Sequence, residues 1–472
     1  MELEIISETC IKPSSPTPPN LKTYRFSSID QRAPSSYMPT ILFFNPPPTL
    51  DKISSSLKRS LSETLTRFYP LAGRTDPEGG ENLSIDCTDD GVRYVEARVN
   101  DPSFTLAHYL DHRVVNDGGL AVMTKLLPLN DAVRMFRPPP PGSHIAHIQV
   151  TFFPCGGLSI GSVFSHKIVD APTLSSFFRL WSAAAVAGGG GGGGDLVARD
   201  DSLFCAGSVF PQNDAFVARA PRVPKPAMLA RAQSVPAATR RFVFNASAIA
   251  RLKEECKPIG VADYTVSRVQ AVTALLCGSI LRAFRARSDN SGTTLFVQPV
   301  NLRTRADPPL PTNSFGNLTM SVAFRRLHNE GGGDEGTGLS SLVKSMKESV
   351  SRIDGELIRR IRGEEGKDEF TKVAEEAEDE AEDAERHVMV NSFSRLGYYE
   401  IDFGWGRPVW MALPCREESG PAVVNLVLVN DTRRSGEGLE AWVLLGADDM
   451  AVLESDEELL SFVSSIDPSP LD

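Results

Sequence analysis

Ser165-His166-Lys167-Ile168-Val169-Asp170-Ala171 is the stretch from which the fold of this chain can be worked outward. It follows residues 148–164, which have the pattern of a strand, and it precedes residues 172–187, which have the pattern of a helix. A side chain at a strand-to-helix junction can face an open cleft, so His166 is a candidate general base. Asp170 follows four residues later and could steady the histidine or cap the helix.

Small residues surround this histidine in the sequence. Ser159, Gly161, Ser162 and Ser165 precede it, and we expect them to leave room for a ligand. A neutral imidazole there could take a proton from a hydroxyl or an amine. We find no G-x-S-x-G nucleophile elbow, because Gly157-Leu158-Ser159-Ile160-Gly161 lies within the predicted strand and not at a turn into a helix, and no cysteine has a triad signature. A direct transfer is therefore favoured over a covalent enzyme intermediate.

The pattern H-x-x-x-D is weak evidence when it stands alone. With seven histidines in 472 residues, chance gives a match roughly one time in three. The alternative interpretation of His166 is a buried histidine beside a helix-capping aspartate.

Length and charge limit the classes of function. A chain of 472 residues suffices for two or three domains, and the net charge of -11 argues against a broad nucleic-acid surface. The seven cysteines form no C-x-x-C pair, which is typical of a reducing compartment. We find no signal-peptide pattern and no apolar run long enough for a membrane helix. We therefore expect a cytoplasmic protein that binds neither nucleic acid nor a membrane.

The order of predicted elements indicates the fold class. Strands and helices mix without strict βαβ alternation, which favours an α/β fold of the layered α+β type over a Rossmann fold. The glycine run at 188–194 and the proline-spaced segment at 211–236 are typical of a linker. We place an N-terminal domain at residues 1–205, the linker at 206–236 and a C-terminal domain at 237–472. The acidic segment at 375–385 is predicted to be a solvated helix or a loop.

Metal sites are poorly supported by the sequence. His108 and His112 have the spacing of a helical metal pair, but no third ligand completes the pattern. His144 and His147 have opposite strand parity, so we expect that they do not share a face. No metal is predicted.

A second stretch, Asp402-Phe403-Gly404-Trp405-Gly406, places two glycines around a tryptophan, which indicates a tight backbone turn. Together with residues 166–170, in this order and at about this separation, it resembles the plant BAHD acyltransferase family, whose members use acyl-CoA thioesters. The resemblance covers essentially the whole chain. Further matching blocks are Phe68-Tyr69-Pro70-Leu71-Ala72-Gly73-Arg74, Asn301-Leu302-Arg303, Ser314-Phe315-Gly316-Asn317 and Tyr399-Glu400-Ile401.

The resemblance implies two chloramphenicol-acetyltransferase-like domains that form a channel at their interface, with a segment at about 390–420 crossing back to the first domain. It implies that His166 deprotonates the acceptor. Asp170 would pair with Arg303 and fix the loop that carries His166. Asp402 is expected to hold the Gly404 turn near the CoA channel, although it is often given as an active-site residue in this family.

The resemblance also implies the substrates. Acyl-CoA, and acetyl-CoA in particular, is expected as a co-substrate rather than a bound cofactor. Backbone N–H groups or the neighbourhood of Trp405 are candidates for stabilising the oxyanion. Arg251 and Lys253 are candidates for contacting the CoA phosphates.

The opening Ile11-Lys12-Pro13 and Lys167 resemble the vinorine-synthase-like branch, which includes acetyltransferases acting on alkaloid, terpenoid and simple alcohols. A monomer that transfers an acetyl group to a hydroxyl of a plant metabolite is therefore expected. An N-acyltransferase acting on an amine and a non-catalytic binding protein of the same fold are the alternatives.

Overall fold

The structure of the chain is a computed structural model. It describes residues 1–47, 52–75, 83–111, 123–128, 138–188, 201–217, 236–261, 263–287, 292–327, 338–382, 384–415, 425–433 and 437–466. The strands in these ranges are β1 (Leu3–Ile11), β2 (Thr23–Arg25), β3 (Tyr37–Phe44), β4 (Arg74–Thr75), β5 (Ser84–Asp86), β6 (Val92–Val99), β7 (Ala146–Phe152), β8 (Leu158–Ser165), β9 (Ala237–Phe244), β10 (Thr293–Asn301), β11 (Thr319–Leu327), β12 (Arg386–Ser392), β13 (Trp410–Ala412), β14 (Asn425–Asp431), β15 (Leu439–Gly446) and β16 (Ser465–Ile466).

The helices connect and cover these strands. In the described ranges they are α1 (Ser28–Arg32), α2 (Ile53–Arg67), α3 (Leu106–Asp111), α4 (Ala171–Ala187), α5 (Ala206–Val209), α6 (Ala246–Glu255), α7 (Arg268–Arg287), α8 (Leu339–Ser351), α9 (Gly355–Arg360), α10 (Lys367–Glu382), α11 (Ala447–Leu453) and α12 (Glu457–Phe462).

Two mixed sheets form the body of the molecule. The first sheet has the order β1-β6-β7-β8-β3-β13, and the second has the order β11-β10-β12-β14-β15-β9-β16. A small third sheet has the order β2-β5-β4. In the first sheet only β6 and β7 run parallel, and in the second only the β10–β12 and β12–β14 pairs do. The predicted layered α/β class is confirmed, because strict βαβ alternation would have given parallel sheets.

Helix α2 shows how the sequence pattern becomes packing. Ile53, Leu57, Leu61 and Leu65 recur every four residues, and all four are buried. Trp181 of α4 is buried beside them, and its Nε1 donates a hydrogen bond to the Leu57 carbonyl at 3.1 Å. Each large apolar side chain of this kind contributes about 1.5–3 kcal/mol of burial free energy. The two helices thus hold one face of the first sheet.

The two sheets meet through strand β13. Trp410 pairs with Phe43 of β3, so this strand from late in the chain lies in the first sheet. On the other side, Trp410 Nε1 donates to Glu440 Oε2 at 3.4 Å, and Glu440 forms a buried ion pair with Arg241 at 2.9 Å. The strand belongs to the range 390–420, where the resemblance places a crossover.

The described part of the predicted linker at 206–236 contains helical turns. Ala206–Val209 is a short helix, Asp214–Phe216 is a turn of 3-10 helix, and Phe210 and Phe216 are buried. The glycine run from residue 189 onward lies outside the described residues, and the domain boundaries stay a prediction. The acidic segment forms the end of helix α10.

Among the described residues, one helix is long and apolar enough to cross a membrane. This is Arg268–Arg287, and 72% of its apolar window is buried inside the protein. Its buried side chains pack with Phe242, Phe296 and Val443 of the second sheet. That is the packing of a core helix.

Candidate active site

His166 lies immediately after β8, which ends at Ser165. Its backbone N–H donates to the Ser36 carbonyl at 2.7 Å, just before β3, the antiparallel neighbour of β8. The ring is therefore presented at the end of a central strand. This confirms the predicted strand-to-helix junction.

The small residues before His166 serve packing rather than a ligand. A Cβ at Gly161 would lie 1.9 Å from the Leu126 carbonyl oxygen, so another segment crosses the strand there. Ser159 and Ser162 are fully buried. The expectation that these residues leave room for a ligand is wrong for this part of the strand, because close packing already fills the space.

The surroundings of the His166 imidazole favour its neutral form. Its Nδ1 is buried without a hydrogen-bond partner, while the residue as a whole is only half-buried. Burial lowers the pKa of His166 below its ordinary value, although the nearby Asp170 carboxylate opposes the shift. A neutral imidazole at neutral pH is the state in which a histidine can accept a proton.

Asp170 joins the histidine loop to the second sheet. It is the N-cap of α4, where its Oδ1 accepts a hydrogen bond from Thr173 N at 2.9 Å. Its two oxygens also accept from Arg303 at 2.8 and 3.1 Å, and Oδ2 accepts from Leu318 N at 3.1 Å. Although burial raises the pKa of Asp170, the Arg303 guanidinium lowers it below its usual range. The predicted cap and the predicted Asp170–Arg303 pair are both confirmed.

Arg303 is the fully buried centre of this junction. Besides Asp170, its Nη2 donates to the carbonyls of Ser314 and Gly316 at 2.8 and 3.1 Å and to Thr173 Oγ1 at 3.2 Å. One guanidinium thus ties the start of α4 to the loop that precedes β11. A planar fork of donors suits this task, whereas a lysine could not reproduce it.

A second buried network holds the main chain at His166. Asn317 Nδ2 donates to the carbonyls of His166 and Lys167 at 2.9 and 3.0 Å. The Asn317 amide groups also donate to Asp30 Oδ1 at 2.8 and 3.0 Å, and Asp30 Oδ2 completes a capping box with Ser27. Burial raises the pKa of Asp30 despite these hydrogen bonds. The loop is therefore fixed from two sides.

Lys167 takes part in the same support. Its Nζ donates to the carbonyls of Gln31 and Ala33, both at 2.9 Å, at the C-terminal end of α1. Burial lowers the pKa of Lys167 to about 8, and Asp30 opposes this shift. The cation stabilises the end of the helix, where carbonyls are otherwise unpaired.

The stretch 402–406 forms a tight turn. Asp402 Oδ1 accepts hydrogen bonds from Gly404 N at 2.8 Å and Gly406 N at 3.0 Å. Gly404 has φ +93° and Gly406 has φ +122°, which side chains other than glycine rarely adopt. These contacts are those of a residue that holds a turn, and a catalytic role for Asp402 stays a prediction.

Aromatic packing links this turn to the helix after His166. The buried Phe403 ring lies 5.1 Å from Trp181 of α4 and stacks on Trp405 at 5.3 Å. Tyr398 donates its hydroxyl to the Ala171 carbonyl at 3.1 Å, and Ser175 Oγ donates to the Leu396 carbonyl. The two distant motifs therefore meet on one helix. The Nε1 of Trp405 is buried without a hydrogen-bond partner, so this N–H does not face an open cleft.

The predicted CoA-binding cations lie on α6. Arg251 stacks over Phe462 at 4.3 Å and donates to the Ser461 carbonyl. Lys253 is half-buried and has no ion-pair partner in the described part of the chain. Lys253 is thus the freer of the two, and both assignments stay predictions.

Within the described residues, no cluster of three histidine, cysteine or acidic residues could hold a metal ion. His112 lies outside those residues. The expectation that His144 and His147 do not share a face is wrong, because their rings meet edge to face at 5.6 Å. His144 precedes β7, so the alternation of strand residues does not apply to it.

The structure thus has two mixed sheets joined through β13, with His166 at the end of a central strand. A family model described as "Transferase family" matches residues 1–460. An epi-neemfruitin B 7-O-acetyltransferase from Melia azedarach is 34% identical over 496 residues, covering 100% of both chains. A stemmadenine O-acetyltransferase from Catharanthus roseus is 33% identical over 469 residues, covering 96% of this chain and 97% of its own.

The crystal structure of vinorine synthase has a TM-score of 0.76 and 29% identity, and the match covers 100% of both chains. The chain therefore belongs to the Transferase family, which confirms the resemblance to the plant BAHD acyltransferases.

Sequence reasoning missed part of the support for His166. The spacing Ser27-x-x-Asp30 is that of a capping box and could have indicated the helix. This spacing does not indicate that Asp30 contacts Asn317, which lies 287 residues away. Asn317 was within a matching block, but the carbonyls that it binds could not be read from its position.

Proposed function

We propose that this protein is an acyl-CoA-dependent O-acyltransferase that transfers an acetyl group from acetyl-CoA to a hydroxyl of a plant terpenoid or alkaloid. The observation that carries the proposal is the position of His166 at the end of β8, where Asn317 and the Asp170–Arg303 pair fix its loop; burial, which lowers the pKa of His166, favours the neutral ring that a base requires. The relatives support the class of acceptor, since they are named as O-acetyltransferases of a limonoid-type compound and of an alkaloid.

The mechanism uses one base. His166 accepts the proton of the acceptor hydroxyl while its oxygen attacks the thioester carbonyl. The C–S bond of the tetrahedral intermediate then breaks, and His166 returns the proton to the departing CoA thiolate. The products are an acetyl ester and free CoA. No covalent enzyme intermediate is needed, and no other group in the described site is placed to form one.

The remaining site residues position the base. Asp170 and Arg303 hold each other, and each of the two Asp170 oxygens already accepts two hydrogen bonds. Asp170 is therefore saturated and serves as support rather than as a proton relay. Asp402 holds the turn at Gly404, because its Oδ1 accepts hydrogen bonds from the backbone of that turn. Backbone N–H groups are the better candidates for the oxyanion, because the Trp405 N–H is buried.

An amine acceptor is the alternative that this site leaves open, because the same base would serve both reactions. A panel of plant alcohols and polyamines separates the two. Mild hydroxide cleaves an ester product and leaves an amide intact, so the identity of the product bond can be read by mass spectrometry.

We also propose that the protein acts as a cytoplasmic monomer without nucleic acid or membrane. The net charge of -11 supports the absence of a nucleic-acid partner. The burial of Arg268–Arg287 within the second sheet supports action away from a membrane. Size-exclusion chromatography with light scattering and a fluorescent fusion in plant cells test these points.

The decisive experiment is His166→Ala. We expect thiol release from acetyl-CoA in the presence of the acceptor to fall by about 10²–10⁴-fold, because the base is lost. His387→Ala is the matched control: His387 is also half-buried with a lowered pKa, but it lies on β12 and bonds the Ala381 carbonyl. A folded His166→Ala protein with near-wild-type turnover would refute the mechanism.

A further inference from the structure

A thiol and an imidazole lie together outside the active site. Cys10 is exposed on β1, and its Sγ lies 3.8 Å from Nε2 of His144. His144 stands just before β7 and forms an isolated bridge with Arg74. The proposed acyl transfer uses neither residue.

The histidine is oriented toward the thiol. Its Nδ1 lies 2.8 Å from the Gly91 carbonyl, and a carbonyl can only accept, so Nδ1 carries the proton. The lone pair of the neutral ring is then on Nε2, the nitrogen nearest Cys10. Burial lowers the pKa of His144, although its hydrogen bond to Gly91 opposes this. The ring is thus a neutral base with one free acceptor.

The backbone around Gly91 fixes this arrangement. Gly91 has φ +94°, and a Cβ there would lie 2.4 Å from the Ile11 carbonyl oxygen. Its own N–H donates to the Ala72 carbonyl at 3.0 Å. The carbonyl that orients His144 therefore belongs to a residue packed directly against the strand that carries Cys10. Nucleophile, base and orienting group are in place before any reaction.

Two arginines near Cys10 are paired with carboxylates. Arg93, the partner of Cys10 across β1 and β6, bonds Glu8 at 2.7 and 3.0 Å, and Arg74 bonds Asp90 at 3.0 Å. Pairing leaves little net positive charge to activate the thiol. His144 is thus the group that can accept the thiol proton.

We propose that Cys10 is a redox modification site at which His144 acts as the base. The Cys10 sulfur attacks a hydroperoxide oxygen while His144 takes the thiol proton. The O–O bond breaks, His144 gives the proton to the departing hydroxide or alkoxide, the sulfur is oxidised to a sulfenic acid, and the peroxide is reduced to water or an alcohol. A low-molecular-weight thiol such as glutathione then condenses with the sulfenic acid, which gives a mixed disulfide and a second water. Reduction by excess thiol restores Cys10.

The test measures sulfenic acid at each cysteine of the full chain. The protein is treated with limiting hydrogen peroxide and dimedone, and labelled peptides are quantified by mass spectrometry over time. Cys155 is the matched comparator, because it is also exposed but its Sγ accepts a backbone N–H from Leu106 and has no histidine partner within the described part of the chain. We expect Cys10 to be labelled faster than Cys155, and label to be replaced by a reversible glutathione adduct when glutathione is present.

His144→Gln removes the base and retains a polar side chain of similar reach. We expect the rate of labelling at Cys10 to fall at least about threefold, while labelling at Cys155 is unchanged. An unchanged rate at Cys10 in this variant would overturn the role of His144. Labelling of Cys155 as fast as Cys10 in the wild-type protein, which requires no substitution, would overturn the site itself. Acetyl transfer is not needed for either readout, so the result is independent of the proposed function.

Discussion

Replacing Asp170 with asparagine should destabilise the protein at least as strongly as it impairs catalysis. Asp170 Oδ1 accepts from Thr173 N and Arg303 Nη2, and Oδ2 accepts from Arg303 Nη1 and Leu318 N. An asparagine keeps one of these oxygens and turns its NH2 group toward two of the donors. None of the four donors can become an acceptor for this NH2 group, because two are backbone amides and two belong to a guanidinium.

The magnitude follows from burial. Asp170 is 2% exposed and Arg303 is 0% exposed, so the substitution leaves an uncompensated charge in the interior. Breaking a buried ion pair from one side costs about 3–5 kcal/mol. At about 2–4 °C per kcal/mol for a domain of this size, the melting temperature should fall by about 6 to 20 °C. Differential scanning calorimetry measures this directly.

Asp30→Asn is the matched control. Asp30 is also a fully buried carboxylate at a helix start, and its Oδ2 accepts from the Ser27 N–H and from the hydroxyls of Ser27 and Tyr24; the two hydroxyls can rotate and accept instead. Among the described residues it pairs with no guanidinium, and its pKa is raised rather than lowered. The melting temperature of this variant should therefore fall less than that of Asp170→Asn.

Two further measurements sharpen the prediction. A double variant, Asp170→Leu with Arg303→Met, should be more stable than the sum of the single effects, because both charges are removed together. The pKa of Asp170 is lowered in the folded protein, so its stabilisation is present above the pKa of the unfolded chain and is lost as the pH falls through the folded value. The difference in stability between the wild-type protein and Asp170→Asn should therefore become smaller in acid. An unchanged melting temperature together with complete loss of turnover would refute this reasoning and favour a direct catalytic role.

The remaining predictions concern the base, the turn and the strand. Because burial lowers the pKa of His166, kcat/KM should stay level as the pH falls to about 6.5 and decline only below it; a decline centred above that value would contradict a neutral buried base. Asp402→Ala should lose about 1–3 kcal/mol of stability with its two backbone hydrogen bonds, whereas Asp402→Asn should keep most of the turnover; an inactive but stable Asp402→Asn would indicate catalysis. Gly161→Ala should lower the free energy of unfolding by about 1–3 kcal/mol, because the added methyl group overpacks against Leu126, and the melting temperature should fall with it. An unchanged melting temperature would show that the strand can shift.

The parts of the fold that depend on local pattern could be predicted from the sequence. The apolar spacing of Ile53 to Leu65 is that of an amphipathic helix, as in α2, and the turn residues at 154–157 are typical of a hairpin, as between β7 and β8. Asp170, which stands before the predicted helix, is its N-cap. These features are encoded within one turn or one hairpin, so spacing alone is informative.

Features that depend on contacts distant in sequence could not be predicted in this way. The 1.9 Å approach of Leu126 explains Gly161, yet the sequence suggests only an empty space there. Asp30 and Asn317 form hydrogen bonds although they lie 287 residues apart, and the periodicity of the sequence does not predict such a contact. The pairing of Asp170 with Arg303 came from the family resemblance and not from spacing, since the two residues lie 133 apart.

Helix α4 explains why two motifs that are far apart in the chain act as one site. Its first residue, Ala171, accepts a hydrogen bond from Tyr398, and its third turn places Trp181 against Phe403. Its N-cap, Asp170, is held by Arg303 from the second sheet. The loop that carries His166 runs directly into this cap, so its position depends on both contacts. A substitution in the turn at 402–406 can therefore disturb the base through the packing of α4, without any of its atoms touching the substrate.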